Sequence, residues 1–321
     1  MRALALGIAL VLAAACGGED DQASPPPSAF PDGTPAPPAA AELCDGARLG
    51  EPAPTVASDE LDETSGLAAS RTTPGLLWAH DDSGGDATVH AVGADGGDRG
   101  AYLLDGVEAR DWEDMARGPG AEGAPDVLYL ADIGDNRGTW DNVGVYRVPE
   151  PAAPDAAGAA PIAGAEIVRF TYADGPRDAE ALIADPVTGD LIVLEKALLG
   201  GSVGAYVVPA SAPWGPPGDR DAVPIVTAER AADVGLDLGQ IVTGADASSD
   251  GSLLAVRTYT DVWVWDRAPD ETVPEALAGE PCRAPSAPEA QGEAIAVDPD
   301  GRGYTTVSEG AHPAVDHFRL P

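Results

Sequence analysis

Basic residues are scarce in this chain. It carries 18 lysines and arginines against 54 aspartates and glutamates, for a formal net charge of −36 at pH 7. Lys196 is its only lysine. Binding nucleic acid needs a basic surface to neutralise phosphates, so that class of partner is excluded. Docking on anionic lipid by charge is excluded for the same reason. Long apolar runs are missing as well. The run from Ala3 to Ala15 is too short for a membrane-crossing helix, which needs about 20 residues, and no other stretch qualifies. Helical periodicity is weak throughout, which speaks against a helical bundle. There is no phosphate-cradling glycine loop and no dinucleotide fingerprint. His312 and His317 have no third histidine or cysteine at zinc spacing.

What stands at the N-terminus reads as an export signal. Arg2 precedes the apolar run, and small residues precede Cys16. Leu12-Ala13-Ala14-Ala15-Cys16 resembles the lipobox of bacterial lipoproteins, with leucine one place earlier than usual. That resemblance implies cleavage after residue 15 and a lipid on Cys16. An ordinary signal peptide beside a cysteine is the alternative. Residues 16–41 are rich in Pro, Ala, Ser, Asp and Glu, a composition that cannot bury enough apolar surface to fold. They read as a disordered tether. Residues 42–321 suffice for one β domain. Cys44 and Cys282 are the remaining cysteines, and in an exported protein such a pair invites a disulfide. Two free thiols are the alternative. The expected location is therefore extracytoplasmic, periplasmic or cell-surface, with the membrane touched only through the N-terminal lipid.

Five segments of the chain share one plan: a small apolar strand, a turn and a second apolar strand. The first strands are Ser65–Ser70, Glu113–Ala116, Glu180–Ala184, Thr243–Ala247 and Glu293–Val297. Turns such as Pro186-Val187-Thr188-Gly189, Ser249-Asp250-Gly251 and Pro299-Asp300-Gly301 suit hairpins, because Gly and Asp tolerate the backbone angles required. A third strand follows each time, and a looser fourth in four cases. Four antiparallel strands repeated every 50 to 65 residues or so are the signature of propeller blades. An all-β propeller of five four-stranded blades is expected, with six blades as the alternative. The fifth repeat lacks a fourth strand. Residues 46–57 are expected to supply it and close the ring.

Aligning the repeats brings charge into register. One column reads Ser65, Glu113, Glu180, Thr243, Glu293, and two residues earlier stand Glu63, Asp111, Asp178, Ile241, Gln291. The ends of the second strands carry His80-Asp81-Asp82, Asp132, Glu195-Lys196, Arg257 and Ser308-Glu309. In an antiparallel hairpin the start of one strand lies beside the end of the next, so both sets belong to one face. Carboxylates gathered this way need a cation, a basic partner such as Lys196 or Arg257, or protons. All-oxygen ligands favour Ca2+ over magnesium. The candidate metal ligands are Glu63, Asp81, Asp111, Glu113, Asp132, Asp178, Glu180 and Glu293. Structural salt bridging of the column is the alternative. For the loops Asp81–Asp86 and Asp132–Asn136, turn formation is the alternative.

Several of these stretches carry a resemblance. They are Glu63–Ser70 with Leu77–Gly84, Asp111–Ala116 with Tyr129–Asn136, Asp178–Leu182, and Val242–Asp246 with Val256–Tyr259. Together they resemble a group of uncharacterised bacterial secreted propellers. More distantly they are similar to calcium-dependent phytase-like and gluconolactonase-like propellers, a likeness that implies metal held by acidic residues at the channel. Phytase-like phosphate binding also needs basic residues, and Lys196, Arg257 and His80 are the only candidates here. Two functions follow as expectations. One is a non-catalytic monomer binding a small-molecule or protein ligand through the channel face. The other is a metal-dependent phosphoesterase or lactonase, with Glu113 or Glu180 as general base and Lys196 or Arg257 steadying anionic charge.

Overall fold

A computed structural model describes residues 39–50, 53–82, 85–121, 126–154 and 158–321. The expected signal peptide, the expected lipidation site Cys16 and the expected tether up to residue 38 lie outside the described residues. Among the described residues no helix is long and apolar enough to cross a membrane.

The fold is a β-propeller built of antiparallel meanders. Blade 1 runs Thr64–Ala69, Leu76–Asp81, Thr88–Gly93, Asp98–Leu104, and blade 2 runs Trp112–Gly118, Val127–Asp132, Val143–Pro149, Glu166–Tyr172. Blade 3 follows with Ala179–Ala184, Leu191–Glu195, Gly200–Val208, Ile225–Leu238, and blade 4 with Val242–Ala247, Leu253–Thr258, Val262–Asp266, Cys282–Ala284. Blade 5 has Gly292–Val297, Gly303–Ser308 and Val315–Arg319, and its outer strand is Arg48–Leu49, paired antiparallel with Val315–Arg319. The N-terminal strand thus closes the ring as the sequence implied, by giving blade 5 its fourth strand. Blades 2 and 3 share one sheet through parallel pairing of their outer strands.

Inner strands read as near-continuous buried runs because both faces are covered. Alternate residues face opposite neighbours. Ala181 and Ile183 pack towards blade 4, whereas Leu182 and Ala184 pack towards blade 2. Each of five apolar clusters lies between two consecutive blades, the fifth joining Leu67, Leu77 and Val92 of blade 1 to Ala296, Val307 and Val315 of blade 5. The short helix Ala40–Gly46 packs on blades 4 and 5 through Leu43. Cys44 on that helix is disulfide-bonded to Cys282 of blade 4 across 238 residues of sequence.

Polar groups stitch the inner strands together around the axis. Asp114 is fully buried. It accepts N–H groups from Met115 of its own blade at 2.8 Å, Leu182 of blade 3 at 2.8 Å and Ala245 of blade 4 at 2.9 Å. Asp246 does the same for Ala247 and, at 2.8 Å, for Val297 of blade 5. Ser65 donates to the Glu113 carbonyl, and Thr243 to those of Gly292 and Glu293. Asp114→Asn keeps the size but replaces one accepting oxygen with an amide that faces donors. We expect it to destabilise the fold by about 2–3 kcal/mol, the cost of buried unpaired polar groups. Urea unfolding measures this, and an unchanged midpoint would show that Asp114 does not tie the blades.

Candidate functional site at the channel mouth

Every inner strand carries a β-bulge near its start. The register with the second strand slips between Thr64 and Gly66, Trp112 and Asp114, Ala179 and Ala181, Val242 and Gly244, and Gly292 and Ala294. The residues left over are Ser65, Glu113, Glu180, Thr243 and Glu293, the aligned column of the sequence. A bulge leaves its residue outside the ladder and re-aims the side chain. Here the three glutamates are aimed into one cavity of about 80 Å3. Its lining also includes Glu63, Asp82, Glu309, Lys196 and Tyr259. The mouth therefore holds six carboxylates and one ammonium.

Burial makes this crowd expensive in the ionised form. Glu293 is pushed up to about 9, first by burial and then by Glu180. Its Oε1 accepts from Gln291 at 2.8 Å, whereas Oε2 is buried without a hydrogen-bond partner. Glu113 is raised well above the usual carboxylate range by burial and by Glu180. Burial raises Glu180 to about 7 against the opposing pull of Lys196, whose ammonium donates to it at 2.5 Å. The Glu180 and Glu113 carboxyls stand together, with oxygens within 4.8 Å of each other. Lys196 also lies 5.7 Å from the centre of the Tyr259 ring. Asp111 is raised by burial and by Asp178.

Two sets of carboxylate oxygens stand close enough to hold one ion. Asp82, Asp111 and Glu113 form the first and Glu113, Asp178 and Glu180 the second, each with oxygens within 4.8 Å of one another. Glu113 belongs to both. The acidic groups could therefore hold a metal ion.

The structure brings Glu63, Glu113, Glu180, Glu293 and Lys196 to the mouth, with Asp111 and Asp178 beside them. Three other expected residues are placed elsewhere. Asp132 is fully buried and pairs with Arg110 at 3.0 Å and Arg220 at 2.8 Å. Two guanidiniums and two backbone N–H groups occupy its oxygens, which leaves none for a metal. Arg257 is fully buried and pairs with Glu289 at 2.8 Å rather than facing the cavity. Gly292 makes room for it, since a Cβ there would lie 1.8 Å from its guanidinium. Asp81 faces a neighbouring cavity with Glu60 and His90, and burial raises it to about 6. Its neighbour Asp82 lines both cavities. Asp82, Glu309 and Tyr259 are the mouth residues that the candidate set omitted. The first two stand in the aligned second-strand ends, His80-Asp81-Asp82 and Ser308-Glu309, and only the ligand set left them out. Asp135 caps its own loop by accepting the N–H groups of Thr139 and Trp140, which makes it a turn former.

No protein-family model matches the chain and no curated protein matches it. Among solved structures it is similar to the PQQ-bound form of an aldose sugar dehydrogenase from Streptomyces coelicolor. The identity is 13%, the TM-score 0.48, and the match covers 89% of this chain and 100% of that one. The fold rests on the strand pairing described above and the chemistry of the mouth on its residues.

Raised carboxyl pKa values couple stability to pH with a definite sign. Glu293 titrates at about 9 when folded, above its ordinary 4.5. Between those values the folded state binds more protons than the unfolded one, so stability falls as pH rises. In chelator we expect stability to fall steadily between about pH 5 and pH 9. Glu293→Gln should flatten that fall. Thermal unfolding across the range tests this, and a melting temperature that climbs with pH in the parent chain would contradict it.

Proposed function

We propose that this chain is an exported, lipid-anchored propeller that binds a Ca2+ ion at its channel mouth and engages a small-molecule or protein ligand through it. The observation that carries the reading is the buried, unpartnered Oε2 of Glu293 in a cavity with six carboxylates and one ammonium. A dication held by Glu113, Asp178 and Glu180 would neutralise carboxyls that burial and neighbouring charge push up. Oxygens facing each other across a calcium ion lie about 4.6–5.2 Å apart, and those of Glu113, Asp178 and Glu180 are within 4.8 Å. All-oxygen ligation without histidine or cysteine suits calcium rather than zinc. Water or a ligand oxygen would complete the coordination from the cavity. The Cys44–Cys282 disulfide supports an oxidising, extracytoplasmic location. A monomer tethered only through lipid on Cys16 agrees with a surface too acidic for nucleic acid or anionic lipid.

One observation favours a second reading, a metal-dependent hydrolase of phosphoesters or lactones. Glu180 titrates near 7 beside the site, which suits a general base at neutral pH. Lys196 would then steady developing negative charge. Arg257 drops out of that role because Glu289 holds it inside the blade.

Calorimetry of the purified chain with calcium at pH 8 tests both readings. We expect a dissociation constant of about 10⁻⁶–10⁻⁵ M. Glu113→Gln and Glu180→Gln should each weaken it by roughly tenfold or more, about 1.4 kcal/mol. No uptake at micromolar calcium would remove both. A screen of phosphoesters and lactones with and without chelator then separates binder from hydrolase.

A further inference from the structure

A second cavity, of about 260 Å3, shares Asp82 with the mouth and opens between blade 1 and the start of blade 2. Several elements wall it. Asp81 ends the second strand of blade 1 and Asp82 follows it. Thr88 and His90 lie two apart on the third strand, and so on one face of it. Trp112 opens the inner strand of blade 2. Glu60 and Asp86 complete the polar lining. Packing fixes the Trp112 ring. His80 meets it edge-on with ring centres 5.1 Å apart, and Tyr146 lies 6.2 Å away.

Two buried polar atoms of these walls lack a partner. Trp112 is 1% exposed, and its indole N–H finds no acceptor. The other two buried tryptophans among the described residues do find one. Trp78 donates to Glu150 at 3.2 Å and Trp265 to the Gly279 carbonyl at 3.1 Å. On Asp81, Oδ1 is buried without a donor. The lining is also unbalanced in charge. Four carboxylates, those of Glu60, Asp81, Asp82 and Asp86, meet no lysine or arginine among the described residues of the wall. Burial lowers the His90 imidazole from its usual range against the pull of Glu60 and Asp98, so at neutral pH it brings no charge.

We propose that this cavity binds an amino alcohol, a protonated amine with a hydroxyl on the next carbon. Ionised carboxylates only accept hydrogen bonds, and an ammonium offers three donors together with the missing charge. The indole N–H only donates, and an ammonium has nothing with which to accept. A hydroxyl oxygen one carbon away supplies that acceptor. A polyol would leave the carboxylates without a counter-charge, and an alkylamine would leave the indole unpaired. The cavity lies at the small end of ligand pockets, which suits a molecule of this size. The acidic surface adds a long-range attraction for a cation. This site holds whether or not the mouth takes a metal ion.

The test titrates the full chain with serinol, in chelator and at about 0.15 M salt, which screens non-specific attraction. Glycerol replaces the amine of serinol with a hydroxyl, and isopropylamine lacks both hydroxyls. Calorimetry should show serinol binding at least about tenfold more tightly than glycerol and about fivefold more tightly than isopropylamine. In NMR spectra the Trp112 indole proton should move downfield with serinol and stay in place with isopropylamine. Asp81→Asn should weaken serinol by about tenfold. Trp112→Phe should bring serinol down to the level of isopropylamine, and the indole shift in the parent chain answers the same question if that variant does not fold. Glycerol or isopropylamine binding as tightly as serinol, no binding of any probe, an unmoved indole proton, or serinol binding untouched by Asp81→Asn would overturn the proposal. Because chelator is present throughout, these outcomes are independent of calcium uptake at the mouth.

Discussion

Five strands meeting around one axis leave an edge with nothing to pair against. The inner strand of each blade is hydrogen-bonded on one side only, and its other edge faces the channel. Buried N–H groups without acceptors are costly, so side chains must supply the acceptors. Asp114 and Asp246 do this for the backbones of Leu182, Ala245 and Val297. Ser65 and Thr243 do the converse and donate to carbonyls of the next blade. The acidity of the channel thus begins as a consequence of closing a ring.

The bulges divide that acidity into two kinds. Glu113 and Asp114 are adjacent in sequence, yet one faces the mouth and the other ties three blades. Without the extra residue at 113 the alternation of the strand would not present both towards the axis. The tying carboxylates have their oxygens filled by backbone N–H groups. The bulged ones do not, and they crowd each other instead. Burial and mutual repulsion raise Glu113, Glu180 and Glu293 together. This is the condition under which a dication gains most, because it relieves several unfavourable interactions at once.

Much of this was legible in the sequence because it depends on register. Hairpin turns and repeat spacing gave the blades, and aligning the repeats put Glu113, Glu180 and Glu293 in one column. What the alignment could not reveal were partners brought in from outside the repeat. Asp132 shares the second-strand end with Lys196, but Arg220 arrives from 88 residues away and removes it from the site. Arg257 looked free until Glu289, in the irregular stretch before blade 5, was seen to hold it. The bulge itself left a trace in the sequence. A residue with little or no side chain follows it in four of the five strands, at Gly66, Ala181, Gly244 and Ala294. Gly66 is required by contact, since a Cβ there would lie 2.1 Å from the His80 ring. One small residue after a column position is too weak a pattern to read as a bulge from sequence.

Scarcity of cations then decides how the two faces of the ring differ. The few basic side chains are held mostly in ion pairs within or between blades: Arg257 with Glu289, Arg267 with Asp185, Arg110 and Arg220 with Asp132. Such pairs need good geometry to overcome desolvation, and once made they leave little charge for other tasks. Lys196 alone remains at the mouth, too little to balance six carboxylates. On the far side the turn carboxylates have their cations, Asp185 from Arg267 and Asp298 from Arg319 and His317. The mouth is therefore the place where carboxylates outnumber their basic partners. A hard cation from outside the chain could fit there, because oxygens converge from several strands.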